Sequence, residues 1–243
     1  MTKIKRSSEL LWLFGIIFVA FGVAFCDKAN LGVSMIAAPA FVLAEALSQV
    51  SSFFSVGANE YLFQGVLLII LCIAIRRFNW KFLLAFAVAV VYGYTLNLAI
   101  WLIRGITVET VWARWLTLIF GDIITAFGVA CFFRTYMPLE VYELFVAQIS
   151  ERFSIDIAKV KWAFDLSLLA FSIILALALF GDIGSFDFST ILYSSFHSIG
   201  LGTIFTTLIN SPLISFMGKI ADKFFGQEPL FPKMKNFLTE NDQ

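Results

Sequence analysis

Few residues in this chain could do chemistry, and they stand out because their surroundings are apolar. Asp122 lies inside the run Phe120-Gly-Asp-Ile-Ile-Thr-Ala-Phe127. A carboxylate at the centre of a lipid bilayer costs about 3 kcal/mol on insertion scales, so it must face a cavity or a partner. It reads as a proton or cation site, a substrate contact, or a hydrogen bond between helices. Asp165 stands one turn inside another apolar run, four residues after Lys161. That spacing suits a site contact, an i,i+4 ion pair or a side chain snorkelling to the membrane surface. Asn97 marks a polar face, and Ser194 and Ser198 beside His197 form a matching one. His197 is the only histidine and cannot hold a metal alone. Asp27, Lys28 and Asn30 form a turn that is either a solvated loop or the lead into a segment dipping toward the membrane interior. The candidate substrate contacts are therefore Asp122, Asn97, Ser198, His197, Asn30 and Asp165, with no catalytic residue, metal ligand or cofactor expected.

The elements that must position these residues follow from composition. Hydrophobic residues make up 60% of the chain and charged residues 14%, against about half and about a quarter in a soluble domain. The apolar residues gather in runs of about 20, long enough to cross roughly 30 Å of hydrocarbon as helices. The balance of 17 basic and 17 acidic residues leaves no basic surface for nucleic acid. Cys26, Cys72 and Cys131 lack metal-type spacing and read as small buried hydrophobes. There is no phosphate-binding glycine loop, zinc-protease helix or serine-hydrolase elbow, which argues against an enzyme.

Six spans are expected, at about 10–26, 61–75, 82–103, 115–133, 162–181 and 188–210, by run length alone. Two weaker apolar segments, about 31–50 and 138–152, are interrupted by Pro39 and Glu45 and by Glu140, Glu143 and Glu151. With neither crossing and a cytoplasmic N-terminus, 14 of the 17 basic residues face the cytoplasm, all but Lys28, Arg104 and Arg114. With both crossing the split falls to 12 against 5. The positive-inside rule favours six spans with both termini cytoplasmic. The acidic loop 181–187 suits the opposite side. The two weak segments are then re-entrant or interfacial helices. Pro138 fits the first position of the second, with Glu140 and Glu143 at the positive end of its dipole. Residues 215–226, with Phe216, Ile220 and Phe224 on one face, are expected to form a short helix on the inner surface.

The chain also repeats itself. Leu13-Phe-Gly-Ile-Ile-Phe-Val-Ala-Phe-Gly-Val-Ala-Phe25 and Ile119-Phe-Gly-Asp-Ile-Ile-Thr-Ala-Phe-Gly-Val-Ala-Cys131 share eight of 13 positions at an offset of 106. Each half holds a span, a weak segment and two more spans. Three spans is an odd number, so the second half enters the membrane inverted. Gly15, Gly22, Gly121 and Gly128 form a small-residue stripe that should pack the two matching spans tightly and also permits a homodimer. The expected fold is thus an all-α polytopic membrane protein of two inverted three-helix repeats, 1–110 and 111–211, followed by a cytoplasmic amphipathic helix and tail, 212–243.

The stretch Phe21-Gly-Val-Ala-Phe-Cys-Asp-Lys-Ala-Asn-Leu-Gly-Val-Ser34 resembles the opening signature of the YczE/YitT-type bacterial membrane proteins. In these, a glycine-bearing first span runs into an Ala-Asn-Leu-Gly-x-Ser turn. The family often continues with Ser-Pro, whereas here Met35 follows Ser34 and the proline comes at Pro39. The resemblance extends over about 10–211. It implies a bacterial inner-membrane location and brings no defined substrate.

From the sequence, then, the first reading is a small-solute membrane transporter or channel. Its site would lie between the two repeats, and its partners would be the lipid bilayer and an unknown small molecule. The alternative is a non-transporting membrane scaffold or regulatory partner that docks other proteins through 134–161 and 212–243.

Overall fold

The computed structural model describes residues 4–6, 8–181 and 195–239; the expected loop 181–187 beyond Gly181 and Ser194 lie outside them. Among the described residues are six helices long and apolar enough to cross a membrane: α1 (Ser8–Ala29), α3 (Val56–Ile75), α4 (Lys81–Ile103), α5 (Val111–Phe132), α7 (Ile157–Phe180) and α8 (Leu201–Phe224). The protein is a multi-pass α-helical membrane protein. Two shorter helices, α2 (Ala38–Leu47) and α6 (Val141–Phe153), follow the first span of each half. At about 15 and 20 Å they fall short of a bilayer's hydrocarbon thickness. Two short strands, β1 (Ile4–Arg6) and β2 (Phe225–Glu228), pair in parallel, and α9 (Pro232–Thr239) ends the described chain.

Helix boundaries follow local chemistry. Ser55 and Thr110 cap α3 and α5 by accepting the backbone N–H of Ala58 and Ala113, supplying a partner that the first turn lacks. The sixth helix differs most from its expected position. It starts at Leu201, where extended Gly200 and the Thr203 side chain form the cap, and runs on through Pro212 to Phe224. A membrane helix tolerates an interior proline when neighbours and hydroxyls satisfy the freed carbonyls. Residues 215–224 therefore continue α8 instead of forming a separate surface helix.

The six long helices alternate in direction. We call the end where α1 starts the near end and the opposite one the far end. The sequence-matched helices α1 and α5 form the largest helix pair and run antiparallel. Ser8 meets Thr135 at 3.1 Å, the Trp12 indole N–H donates to the Pro138 carbonyl at 2.9 Å, and the Cys26 thiol points to the Leu118 carbonyl. The glycine stripe makes the close approach possible. A Cβ on Gly22 would run into Thr125 Oγ1 and lie 2.6 Å from the Gly121 carbonyl oxygen. The stripe is buried inside one chain, so it lends no support to a homodimer. Around this pair α4 packs on α1 and α8 on α5, while α2 lies against α3 and α7, and α6 against α3, α4 and α7.

Candidate functional site

The two short helices share an unusual placement. Every residue from 31 to 42 is buried, because the Asn30–Ser34 turn carries the chain straight back into the bundle. Asn30 and Gly32 have positive φ, 52° and 104°, and a Cβ on Gly32 would lie 2.5 Å from the Gly200 backbone nitrogen. That crossing is tied by Val33 N–H to the Ser198 carbonyl and Gly202 N–H to the Leu31 carbonyl. From there α2 climbs back to the far end, where Glu45 meets His197. On the other side Trp12 holds the chain at Pro138, and α6 returns to the near end, where Glu151 shares a surface hollow with Arg77. The N-terminal ends of α2 and α6 meet across one enclosed interior hollow.

That hollow has a volume of about 10 Å³, the room of roughly one water molecule. Its polar lining is Ser34 from the α2 approach, Tyr92 from α4, Thr125 from α5, and Glu140, Tyr142 and Glu143 from the start of α6. Behind it the polar cluster continues. Gln64 of α3 donates from Nε2 to Glu140 at 2.5 Å. Glu60, one turn earlier on α3, is wholly buried. Tyr142 and Gln64 lie beside it, but no hydrogen bond of proper geometry closes on either of its carboxylate oxygens. Lys161 and Asp165 of α7 form a buried ion pair at 2.8 Å, and Lys161 also exerts its charge on Glu143. Burial drives the carboxyl of Glu140 well above its usual range, and the charge of Glu143 adds to it. Burial raises Glu143 as well, with Lys161 opposing.

The residues singled out from sequence divide among four places. Asn30, His197 and Ser198 come together at the far end, on the crossing segments: the Ser195 hydroxyl donates to Asn30 Oδ1 at 3.0 Å, and His197 stacks on Phe180 at 3.7 Å. Asp165 joins the interior cluster through its pair with Lys161. Asn97 ties α4 to the start of α3, accepting from Gly57 N–H and donating to the Ser55 hydroxyl. Asp122 is buried beside α1, with Cys26 as an electrostatic neighbour, and does not line the hollow. Glu60, Gln64, Tyr92 and Tyr142 were not singled out by the sequence as site residues. Glu60 had a readable signal: Ser55 as an N-cap starts the helix at Val56, which puts Glu60 inside the span. Glu140 and Glu143 were read only as dipole partners of a short helix. Larger hollows of about 280 to 400 Å³ open at the near end among Arg76, Arg77, Lys81 and Arg152, and between Arg134 and Lys219. They are open surface features.

A helical bundle with a carboxylate cluster at its centre defines a polytopic membrane protein with a polar interior. The chain belongs to DUF6198, a family of unknown function, whose match covers residues 4–219. No curated protein and no solved structure matches it.

Proposed function

We propose that the chain is a small-solute transporter or channel built from two inverted three-span halves, with the interior hollow as its site. The observation that carries this reading is the meeting of the α2 and α6 N-termini across that hollow, beside Glu140 and Glu143. Short helices that enter a bilayer and return, pointing their N-terminal dipoles at a midplane site, are a recurring plan of transporters. The pairings match across the halves: α1 runs antiparallel to its sequence mate α5, α1–α4 mirrors α5–α8, and α2 and α6 each touch both α3 and α7. The lining bears carboxylates and hydroxyls and, among the described residues, no lysine or arginine. That chemistry suits a proton, a small cation or a neutral polar solute and disfavours an anion. The hollow is closed, so access would alternate by rocking one half against the other. The near end, rich in arginine and lysine, would face the cytoplasm of a bacterial cell. Kinship with the YczE/YitT-type proteins through the Ala29–Ser34 turn belongs to the same proposal.

Liposomes carrying the purified chain, loaded with a panel of small cations and polar metabolites, test the reading. Flux above that of empty liposomes, lost in Thr125→Leu while the variant still purifies as a folded species, is expected. No flux for any panel member, and no member raising the melting temperature by mass action, would move a scaffold or regulatory role ahead. The filled bundle, with its single-water hollow, is the observation favouring that second reading.

A further inference from the structure

We infer that Glu60, Glu140 and Glu143 form a shared proton-binding site inside the bundle, and that the ion which works with this protein is the proton. This deepens the transport reading and rests on it. The charges in the cluster do not balance. Four carboxylates, Glu60, Glu140, Glu143 and Asp165, lie in the cluster with one ammonium, Lys161, which already pairs with Asp165 at 2.8 Å. Like charges in a low-dielectric interior cannot all ionise, and such groups hold protons between them.

Its hydrogen bonds do not close either. Both Glu60 oxygens, Glu143 Oε2 and Gln64 Oε1 are buried and unpartnered. All four are acceptors in the ionised cluster, and acceptors cannot satisfy one another. The Tyr142 hydroxyl is the one unpartnered donor beside them among the described residues. A proton on Glu60 supplies the missing donor to Gln64 or Tyr142, and a proton on Glu143 does the same on its side of the hollow. Gln64, bonded to Glu140 and beside Glu60, links the carboxyls across α3 and α6. The hollow next to Glu140 and Glu143 gives a proton a place to enter or leave by way of a single water.

The groups that face this cluster come from every neighbouring element. α3 brings Glu60 and Gln64, α4 brings Tyr92, and α6 brings Glu140, Tyr142 and Glu143. Lys161 and Asp165 come from α7, and Cys26 of α1 lies within electrostatic reach of Tyr92. The α2 approach and α5 add only the hydroxyls of Ser34 and Thr125 to the lining. No group of three or more histidine, cysteine or carboxylate side chains among the described residues is arranged to hold a metal ion.

Infrared difference spectroscopy of the full-length chain in lipid vesicles, titrated from acid to alkaline pH, reads this directly. Wild type should show the carbonyl band of a protonated carboxylic acid at neutral pH, lost on alkalinisation. Glu60→Gln, Glu140→Gln and Glu143→Gln should each remove part of the band or shift its midpoint by about one unit or more. The wild-type titration needs no variant to fold. Absence of the band at neutral pH, a band unchanged in all three variants, or loss of the band on adding sodium chloride at constant pH would each overturn the inference. Ion and solute flux in the same vesicles separates the two readings. A band without flux sustains the proton site and removes transport, whereas flux without a band does the reverse.

Discussion

Glu143 ties the interior cluster to a bulk property. Its carboxyl is raised from an ordinary 4.5 to about 7, with burial the main cause. Between those values the folded chain holds a proton that the unfolded chain releases, so stability falls as pH rises through this window. The melting temperature of the detergent-purified chain should therefore decline from about pH 5 to about pH 8, and Glu143→Gln should flatten the slope. A melting temperature that rises over this range would mean that Glu143 stays ionised in the fold. Lys161 and Asp165 act differently. Their i,i+4 spacing was legible, but a pair at the membrane surface and a pair inside the bundle look alike in sequence. Inside, removing one partner strands a charge at a cost of about 3–5 kcal/mol.

At the scale of elements, the contact between α1 and α5 follows from glycines seven residues apart, and the sequence announces it. The prediction is that Gly22→Ala, which would drive a methyl into Thr125 and the Gly121 carbonyl, lowers stability by about 1–3 kcal/mol. Gly105→Ala, with nothing within 4 Å of the added Cβ, should leave it unchanged. Thermal unfolding followed by size-exclusion chromatography compares the two, and equal melting of both variants would refute the tight α1–α5 seam. The short helices were harder to read. Periodicity could not separate an interfacial α6 from one that enters the bundle, because an apolar face serves lipid and protein equally well. What decided it was burial of Val141, Tyr142, Glu143 and Val146 against α3, α4 and α7.

For the whole molecule, the first and last described segments meet on one side. Ile4 of β1 pairs with Phe225 of β2, and Glu9 accepts from the backbone N–H of Leu230 and Phe231 and from the Tyr136 hydroxyl. The bidentate Arg134–Asp222 bridge joins α5 to α8 at the same end, with bonds of 2.8 and 2.9 Å. Reporter fusions at the N- and C-termini should therefore report the same compartment, which under the proposed orientation is the cytoplasm. Reporters in opposite compartments would rule out an even number of crossings.

The sequence alone determined that this chain has six runs long and apolar enough to cross a membrane, that the first and fourth of them match, and that glycines let these two approach. Each of these is a local matter of run length, charge count or residue size. Tertiary structure alone decided where the chemistry lies. Asp122, the conspicuous intramembrane acid, ended beside Cys26. The clustered carboxylates came from the start of α3 and the start of α6, 80 residues apart. Nothing local links Glu60 to Glu140. They meet because the Pro138 approach sends α6 into the bundle against α3, and a buried position gives a carboxylate a meaning that its place in the chain does not.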